Sequence, residues 1–361
     1  DQRFVLATGT ATGHAVASAA NLPQVRVTYA PLDFPSMVRR YFNRFEPSML
    51  VLIEGEAWPH LLDLCRKRNI PVSLVNARMS PRSERRYRRF AKWVRPVFDK
   101  LDAIAIQEPE NRGIWNELGV EDERIHLTGS LKFDPGGSHP VRRPEFQEML
   151  DRFGRGRKVV LAASTHPGED EWIAAAIREA EPGALPVIVP RHAERRDEVS
   201  AELTRAGFHV VRRSTFVRST DPLPANSVFL IDTTGELRDW TAHAEAVIIG
   251  KSFLSTGGQN PCEAILASAP VICGPHMENF EPLVTRLTTT NGCLRADDAA
   301  SLAMAIRKAL DPQISASLTR EASALLSVHE GATERILDLL EGVKSASKSR
   351  NVEFVISKIT L

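Results

Sequence analysis

The amino-acid sequence predicts an α/β fold with two doubly wound domains, each built around a parallel sheet. Short apolar runs of strand length alternate with helical patterns along the whole 361-residue chain, which is typical of repeated β-α units. The length itself suits two domains. A stretch rich in turn-forming residues separates two series of such units, so the second half is expected to repeat the architecture of the first.

The first series of units spans residues 1–134 and predicts one domain. Its strands are predicted near residues 4–6, 25–29, 49–53, 72–75, 103–106 and 125–127, with helices between them, for example over residues 61–68 and 108–118. The run MLVLI at residues 49–53 has no polar residue, as expected for a strand of a parallel sheet covered on both faces.

A linker is predicted over residues 135–157 and a second domain over residues 158–341. The segment DPGGSHPVRRP from Asp134 concentrates Gly and Pro, which favours an exposed connection. Strands of the second domain are predicted near residues 159–163, 187–189, 228–231, 246–249 and 271–273, before a helical pattern over residues 299–340. Residues 342–361 are predicted to be a loosely held tail, in which VEFVISKITL has strand character without an assigned place. The two domains are expected to face a cleft with the carboxyl ends of their strands.

The composition excludes several classes of protein. Hydrophobic residues make up 43% and charged residues 25% of the chain, as in soluble globular proteins. The 46 Lys and Arg residues balance 45 Asp and Glu residues, so no nucleic-acid partner is expected from bulk charge. The four cysteines include no C-x-x-C pair, so neither a metal site nor a disulfide framework is predicted. No apolar run approaches the roughly 20 residues of a membrane-spanning helix.

Two turns of the second domain carry groups suited to a phosphorylated ligand. Ser164, Thr165 and His166 follow a predicted strand and precede a helix, whose N-terminal N–H groups and nearby hydroxyls suit a phosphate. A plain Ser/Thr helix cap explains the same residues about equally well. Arg191 and His192 follow the next strand, where they can bind a phosphate or simply begin a solvated helix.

Two further turns combine glycines with polar groups. Asn260 and Glu263 have the spacing of a capping box, which leaves the paired glycines before them unexplained. Glycines give a nucleotide close access to the backbone, and a carboxylate can bind ribose hydroxyls. The chain has neither G-x-x-x-x-G-K-[ST] nor a G-x-G-x-x-G after a strand, so a nucleotide-sugar site is the preferred interpretation. The donor-binding residues predicted here are Gly235, Glu236, Leu237, Gly250, Ser252, Gly257, Gly258, Asn260 and Glu263.

The first domain carries two acids and a basic segment. Glu54 and Glu56 follow the strand at 49–53, where they can orient or deprotonate a hydroxyl, or remain solvated loop acids. Residues 82–100 contain eight Lys and Arg against two acids, with aromatic residues between them. This pattern indicates an element on an anionic membrane surface or bound to a phosphorylated lipid, or a solvated helix with its aromatics packed inward. The predicted acceptor or membrane contacts are Arg78, Arg82, Arg85, Arg86, Arg88 and Arg89.

Ten segments together resemble the 3-deoxy-D-manno-octulosonic acid (Kdo) transferases. They are TGTATG from Thr8, YAPLDFP from Tyr29, EGEAWP from Glu54, VNARMS from Val75, TGSLKFD from Thr128, STHPGE from Ser164, VPRHAER from Val189, DTTGEL from Asp232, GGQNPCE from Gly257 and GPHMENF from Gly274. The resemblance implies the GT-B fold of two Rossmann-like domains, CMP-Kdo as donor and a phosphorylated lipid A precursor as acceptor. It also implies inversion, no metal and no cofactor, and peripheral attachment to the cytoplasmic face of the inner membrane.

The resemblance further implies roles for individual residues. Arg191 and the turn with Gly235 and Glu236 would hold the CMP phosphate and base, and Asn260 and Glu263 would hold the ribose. Residues 164–166 would line the donor pocket. The residues that would face the reacting sugar are Glu54, Glu56 and Lys132.

The general base of the family lies in an N-terminal Gly-Glu motif ahead of the segment that resembles TGTATG. Only seven residues precede Thr8 here, so the base is expected to be absent from this chain, together with any N-terminal membrane anchor. The sequence also departs from the family pattern at Gly55, Ser130, Lys251 and Gln259. Two alternatives therefore stay open: a relative that binds a nucleotide sugar without turnover, and a GT-B transferase that uses another nucleotide sugar.

Overall fold

The computed structural model describes residues 3–55, 57–134, 140–154, 156–216, 223–281, 283–346 and 354–358. The chain divides into two compact units, which we call the first unit (Asp1–Gly136 with His329–Leu361) and the second unit (Gly137–Val328). Each unit contains a parallel sheet with helices. The predicted α/β class is therefore confirmed.

The elements follow one another as alternating strands and helices. The strands are β1 (Phe4–Thr8), β2 (Val25–Tyr29), β3 (Met49–Ile53), β4 (Val72–Ala77), β5 (Ala103–Ile106), β6 (Ile125–Leu127), β7 (Val159–Thr165), β8 (Leu185–Pro190), β9 (His209–Arg212), β10 (Ser227–Leu230), β11 (Ala246–Ile249), β12 (Val271–Cys273), β13 (Leu294–Arg295) and β14 (Phe354–Lys358). The α-helices are α1 (Ala11–Ala19), α2 (Pro35–Phe45), α3 (Pro59–Lys67), α4 (Pro81–Arg89), α5 (Ala91–Phe98), α6 (Arg112–Glu117), α7 (Pro144–Gly154), α8 (Glu169–Ala180), α9 (Arg196–Arg205), α10 (Leu237–Thr241), α11 (Cys262–Leu266), α12 (Leu283–Thr289), α13 (Ala299–Ala309), α14 (Pro312–Ser327) and α15 (Ala332–Ala346). Short 3-10 turns cover Pro109–Asn111, Asp122–Arg124, Ala193–Arg195 and Glu278–Phe280.

The first unit is organised around a seven-stranded parallel sheet in the order β2-β1-β14-β3-β4-β5-β6. Side chains of β3 alternate between two cores: Leu50 and Leu52 belong to one, and Met49 and Val51 to the other. A strand covered on both faces produces this alternation because successive side chains point to opposite sides.

The helix α15 corrects the predicted domain boundary. The sequence analysis assigned residues up to 341 to the second domain, but α15 lies in the first unit. Its apolar residues Ile336, Leu339, Leu340 and Val343 belong to the core that contains Met49 and Val51. Asp134 fixes the start of the helix, since its carboxylate accepts hydrogen bonds from the N–H groups of Gly331 (3.2 Å) and Thr333 (2.6 Å).

The predicted linker 135–157 is also partly structured. It contains α7, which lies in the second unit. Phe146 of α7 is fully buried and stacks on Trp240 with 4.1 Å between ring centroids. The turn-forming residues ahead of α7 therefore mark the connection, while the segment after them belongs to a core.

The strand β14 gives a place to the C-terminal segment that the sequence analysis left unassigned. It pairs in parallel with β1 from Phe4↔Phe354 to Thr8↔Lys358, and with β3 from Met49↔Phe354 to Leu52↔Ser357. The chain builds β2 on the β1 side of β14, and β4, β5 and β6 on the β3 side. β14 therefore stands at the switch point of the first sheet, where strand order reverses and such folds bind ligands.

The second unit has a seven-stranded parallel sheet in the order β13-β12-β11-β7-β8-β10-β9. Every residue of β7 is buried. The chain proceeds from β7 to β8 on one side and returns after β10 to place β11 on the other side of β7. The switch point of this sheet lies between β7 and β11. The two strands that the sequence analysis missed, β9 and β13, are short strands at the two edges of the sheet.

Replacing Ile356 with proline is expected to destabilise the first unit and to leave the second unit folded. Proline removes the backbone N–H of a strand that has neighbours on both sides, and one unpaired buried backbone group costs about 1–3 kcal/mol. Hydrogen exchange followed by mass spectrometry should report lost protection in peptides of β1 and β3 and unchanged protection in β7 and β11. Ile356→Val, which keeps the N–H, is the control. Equal protection in the two variants would contradict this role of β14.

Candidate functional site

The switch point of the second sheet brings the loops after β7 and β11 side by side, and Glu169 joins them. This first residue of α8 is fully buried. Its carboxylate accepts hydrogen bonds from the backbone N–H groups of His166 (2.9 Å), Lys251 (2.7 Å) and Phe253 (3.3 Å). The sequence analysis did not select Glu169, because an acid at a helix start is common and its partners are backbone groups.

Both of these loops have strained backbone. Ser164 has a φ of +58° and Lys251 a φ of +55°, in the left-handed region that side chains disfavour. Such residues cost about 1–3 kcal/mol each and persist only where their surroundings hold them. Gly250 allows the loops to approach, since a Cβ there would lie 2.4 Å from the carbonyl oxygen of Ser164.

A second buried acid, Asp170, joins the loops after β7 and β8. It accepts hydrogen bonds from the hydroxyl of Thr165 (2.5 Å) and from Arg195 (2.8 Å). Burial raises the pKa of Asp170, while these two hydrogen bonds act in the opposite direction. Thr165 is completely buried, and its hydrogen bond to Asp170 shapes the loop, while its contact with the donor stays a prediction.

Cationic and imidazole groups gather at this edge of the sheet. The rings of His166 and His192 lie nearly perpendicular, with 6.1 Å between centroids. Gln259 Nε2 is 3.4 Å from His166 Nε2. Burial, followed by the charge of Lys251, lowers the pKa of His166. The imidazole is therefore neutral at pH 7 and can donate or accept a hydrogen bond.

Arg191 and Glu263 act on each other at the same edge. Arg191 is exposed, and its backbone N–H donates to the carbonyl of Thr165 at 3.0 Å. Burial raises the pKa of the half-buried Glu263, whereas the charges of Arg238 and Arg191 act in the opposite direction. A carboxylate in this setting can accept hydrogen bonds from sugar hydroxyls, while an exposed guanidinium offers a paired contact to a phosphate.

The predicted capping box at α11 is wrong. The helix begins at Cys262, and its N-cap residue is Pro261, with no side-chain hydrogen bond to the cap. The Asn260 side chain accepts a hydrogen bond from the N–H of Cys262 at 3.0 Å instead. Asn260 itself is exposed.

The paired glycines after β11 are explained by packing within the protein rather than by an open surface. A Cβ on Gly258 would lie 2.4 Å from Met277 Sδ, and one on Gly257 would lie 2.7 Å from Asn279 Nδ2. Both glycines have positive φ. Ser252 is likewise internal: its hydroxyl donates to the carbonyl of Ile249 at 2.6 Å and accepts from a backbone N–H. These three residues, which the sequence predicts as donor contacts, shape the loop from inside, and their contact with a donor stays a prediction.

The turn after β10 keeps one open glycine. Gly235 has a φ of +83°, and an added Cβ there would meet no atom within 4 Å. The carboxylate of Glu236 accepts hydrogen bonds from Nε and Nη2 of Arg213, at 3.1 Å each, and from the hydroxyl of Thr233 at 2.6 Å. Leu237, which begins α10, is half-buried. Gly235 therefore remains accessible to a ligand, while the Glu236 side chain holds the turn.

In the first unit, Glu54 lies at the carboxyl end of β3 with a φ of +68°. Its N–H donates to the carbonyl of Val75 (3.0 Å), and its carbonyl accepts from the N–H of Arg78 (3.3 Å). Arg78 is exposed. The loops after β3 and β4 are thus joined at one edge of the sheet. Glu56 lies outside the described residues.

Asn76 extends this connection to the loop that carries Lys132. Its side-chain oxygen accepts a hydrogen bond from the N–H of Leu131 (3.0 Å), and its carbonyl accepts one from Gln107 (2.8 Å). Asn76 has a φ of +51°, which asparagine tolerates better than most residues. The exposed Lys132 follows directly. Asn76 lies in the VNARMS segment that the family resemblance pointed to, but its hydrogen bonds were not predicted.

The basic segment forms two helices, α4 and α5, which meet at Phe90. Arg88 pairs with Glu84 (3.1 Å) and Glu117 (2.7 Å), so it is engaged within the protein. Tyr87 packs inward, edge-on against Phe98. Six of the exposed residues of these helices make up what we call the α4–α5 patch: Arg82, Arg85, Arg86, Arg89, Phe90 and Trp93, with Trp93 82% exposed.

Among the described residues, none of the helices combines the length and apolar character needed to cross a membrane.

Comparison with known proteins assigns the chain to a family. Residues 1–135 match the family model described as 3-deoxy-D-manno-octulosonic-acid transferase (kdotransferase). The chain is 36% identical over 346 residues to the 3-deoxy-D-manno-octulosonic acid transferase of Bordetella pertussis, covering 93% of this chain and 78% of that one. It is 31% identical over 321 residues to the enzyme of the same name from Haemophilus influenzae, covering 87% and 74%.

The fold agrees with solved structures. A crystal structure of Anabaena HepE in complex with UDP aligns with a TM-score of 0.54 at 14% identity, covering 95% of this chain and 100% of that one. This likeness shows the fold alone, which is GT-B. The sequence identity to the Bordetella and Haemophilus enzymes over most of the chain shows more: this protein belongs to the 3-deoxy-D-manno-octulosonic acid (Kdo) transferase family of glycosyltransferases.

Proposed function

We propose that this protein transfers Kdo from CMP-Kdo to a phosphorylated lipid A precursor in lipopolysaccharide biosynthesis, with inversion and without a metal ion. The observation that carries the proposal is the group of cationic and polar side chains around Arg191 and Glu263 at the carboxyl edge of the second sheet. Family membership supports Kdo as the transferred sugar.

The donor site would be divided between phosphate and ribose. Arg191, His192 and Lys251 lie on the loops after β8 and β11, where positive charge would stabilise the phosphate of CMP as it leaves. Glu263 would accept hydrogen bonds from the ribose hydroxyls, and Asn260 would donate or accept there. Gly235 would admit the nucleotide close to the backbone because no side chain occupies the space above it.

In the reaction, the acceptor hydroxyl replaces CMP at the anomeric carbon of Kdo. The bond from that carbon to the phosphate oxygen breaks, CMP leaves as a phosphate monoester, and the hydroxyl proton passes to a base. A single displacement of this kind inverts the anomeric centre. Glu54 and Lys132 of the first unit would orient the reacting sugar. Treatment with EDTA should leave the rate unchanged, which checks the metal-independent part of the proposal.

The acceptor is a phosphorylated lipid, and the α4–α5 patch is the proposed surface for the cytoplasmic face of the inner membrane. Four arginines and two exposed aromatic residues lie there. Basic residues near an anionic lipid surface contribute about 1 kcal/mol each, and tryptophan and phenylalanine favour the interface.

Arg191→Ala is expected to weaken CMP binding about 10-fold to 100-fold, since a hydrogen bond to a charged group contributes roughly 1.5–3 kcal/mol. Isothermal titration of the purified chain with CMP measures this, and titration with UDP tests the choice of nucleotide. Arg205→Ala, at the far end of α9, is the control and should bind as the unmodified chain does. Equal affinity in the two variants, or a preference for UDP, would refute the assigned donor site.

The pH dependence of CMP binding should report on Glu263. Because burial raises its pKa above the ordinary 4.5, Glu263 loses its negative charge at a higher pH than an ordinary glutamate as the solution is acidified. CMP affinity should therefore decline on acidification more steeply in the unmodified chain than in Glu263→Gln, which cannot titrate. Protonation of the phosphate, with a pKa near 6, affects both proteins equally. Parallel pH profiles would contradict a ribose contact by Glu263.

Replacing Arg82, Arg85, Arg86 and Arg89 of the α4–α5 patch with glutamate should abolish sedimentation with vesicles that contain an anionic phospholipid. Arg88 is left unchanged because it is paired within the protein. Arg320→Glu on α14, 70% exposed at the side chain, controls for charge reversal elsewhere. Unchanged sedimentation of the fourfold variant would remove the patch from the proposal.

A further inference from the structure

We infer that Glu169 is a positioning residue for the donor phosphate: it acts through the two loops whose backbone it binds, not by touching the ligand. The inference rests on the proposed CMP-sugar donor. The fully buried carboxylate of Glu169 accepts hydrogen bonds from three backbone N–H groups, which belong to two loops. Charge-assisted hydrogen bonds of this kind are stronger than neutral ones.

Two of the three amides that Glu169 binds lie at, or close to, a residue with left-handed backbone. Lys251 is itself left-handed, and His166 lies two residues after left-handed Ser164. Strained backbone at a functional site persists only when its surroundings fix it. Because Glu169 binds the N–H groups of both His166 and Lys251, it fixes the backbone from which both side chains project.

These two side chains face the same edge as His192 and Arg191. Burial, followed by the charge of Lys251, lowers the pKa of His166, and the ring of His166 lies 6.1 Å from that of His192 between centroids. Gln259 also reaches His166, at 3.4 Å. His166 and Lys251 can bind one phosphate together only if the spacing of their side chains is fixed, because a misplaced donor weakens the binding.

The proposed nucleoside contacts come from other elements. Glu263 lies on α11, and Gly235 lies in the turn after β10. Within the described part of the chain, the Glu169 carboxylate accepts hydrogen bonds from His166, Lys251 and Phe253, and from neither of these two elements. Loss of Glu169 should therefore reduce phosphate recognition and spare recognition of the nucleoside.

The test compares CMP with cytidine in Glu169→Gln. Glutamine keeps the shape but removes the charge and presents an N–H group where the carboxylate accepts hydrogen bonds. We expect the dissociation constant for CMP to rise about 10-fold or more, while that for cytidine stays unchanged. Glu171→Gln, the same change at an exposed position of the same helical turn, should bind both ligands as the unmodified chain does.

The outcomes separate this inference from the proposed function. If the unmodified chain binds CMP no better than cytidine, the donor site of the proposed function fails. If the unmodified chain prefers CMP and Glu169→Gln keeps that preference, or loses affinity for both ligands equally, the positioning role is overturned. Should the variant not fold, hydrogen exchange of the unmodified chain decides: the amides of His166, Lys251 and Phe253 must exchange slowly without ligand, and rapid exchange overturns the inference.

Discussion

Parallel strand pairing is the constraint on which both sites depend. In each unit every paired strand of the described sheet runs in the same direction, so the loop that follows each strand emerges at one edge. Residues that are far apart in sequence, such as His166, Arg191 and Lys251, reach the same edge for this reason. The strand order reverses between β7 and β11, and the edge beside such a reversal is where doubly wound folds bind ligands.

Buried polar groups hold the loops at this edge in fixed positions. Glu169 and Asp170 are adjacent in sequence, yet the first binds the loop after β11 and the second binds Arg195 after β8. Both acids also bind the end of β7 or the loop that follows it, through His166 and Thr165. A buried carboxylate is costly unless hydrogen bonds satisfy it, and here the required partners are the loops themselves. Asn76 has a similar role in the first unit through its neutral side chain, joining the end of β4 to the loop that follows β6.

The sequence predicted the strands and the loops well and the roles of polar residues less well. Apolar runs such as 49–53 are sufficient to identify buried parallel strands, because both faces must be covered. The domain boundary was misplaced because α15 has the same amphipathic pattern whichever sheet it packs against. For Thr165, Ser252 and the Gly257–Gly258 pair, a small polar or glycine residue in a loop has the same signature whether it faces a ligand or the protein. Only the contacts distinguish the two cases. The role of Glu169 was not predicted because its partners are backbone amides, which every residue except proline carries.

The position of β14 bears on the base that the family resemblance implies. In a doubly wound sheet, a strand that precedes β1 in the chain lies between β1 and the strand that begins the other half, which here is β3. β14 holds that place, with Lys358 in register with Thr8 and Ser357 in register with Leu52. A strand that delivered a Gly-Glu base to the acceptor site would need the position that β14 occupies between β1 and β3. Whichever strand fills this place determines which residues emerge beside Glu54, so the chemistry of the first unit depends on strand pairing as much as on the residues of its loops.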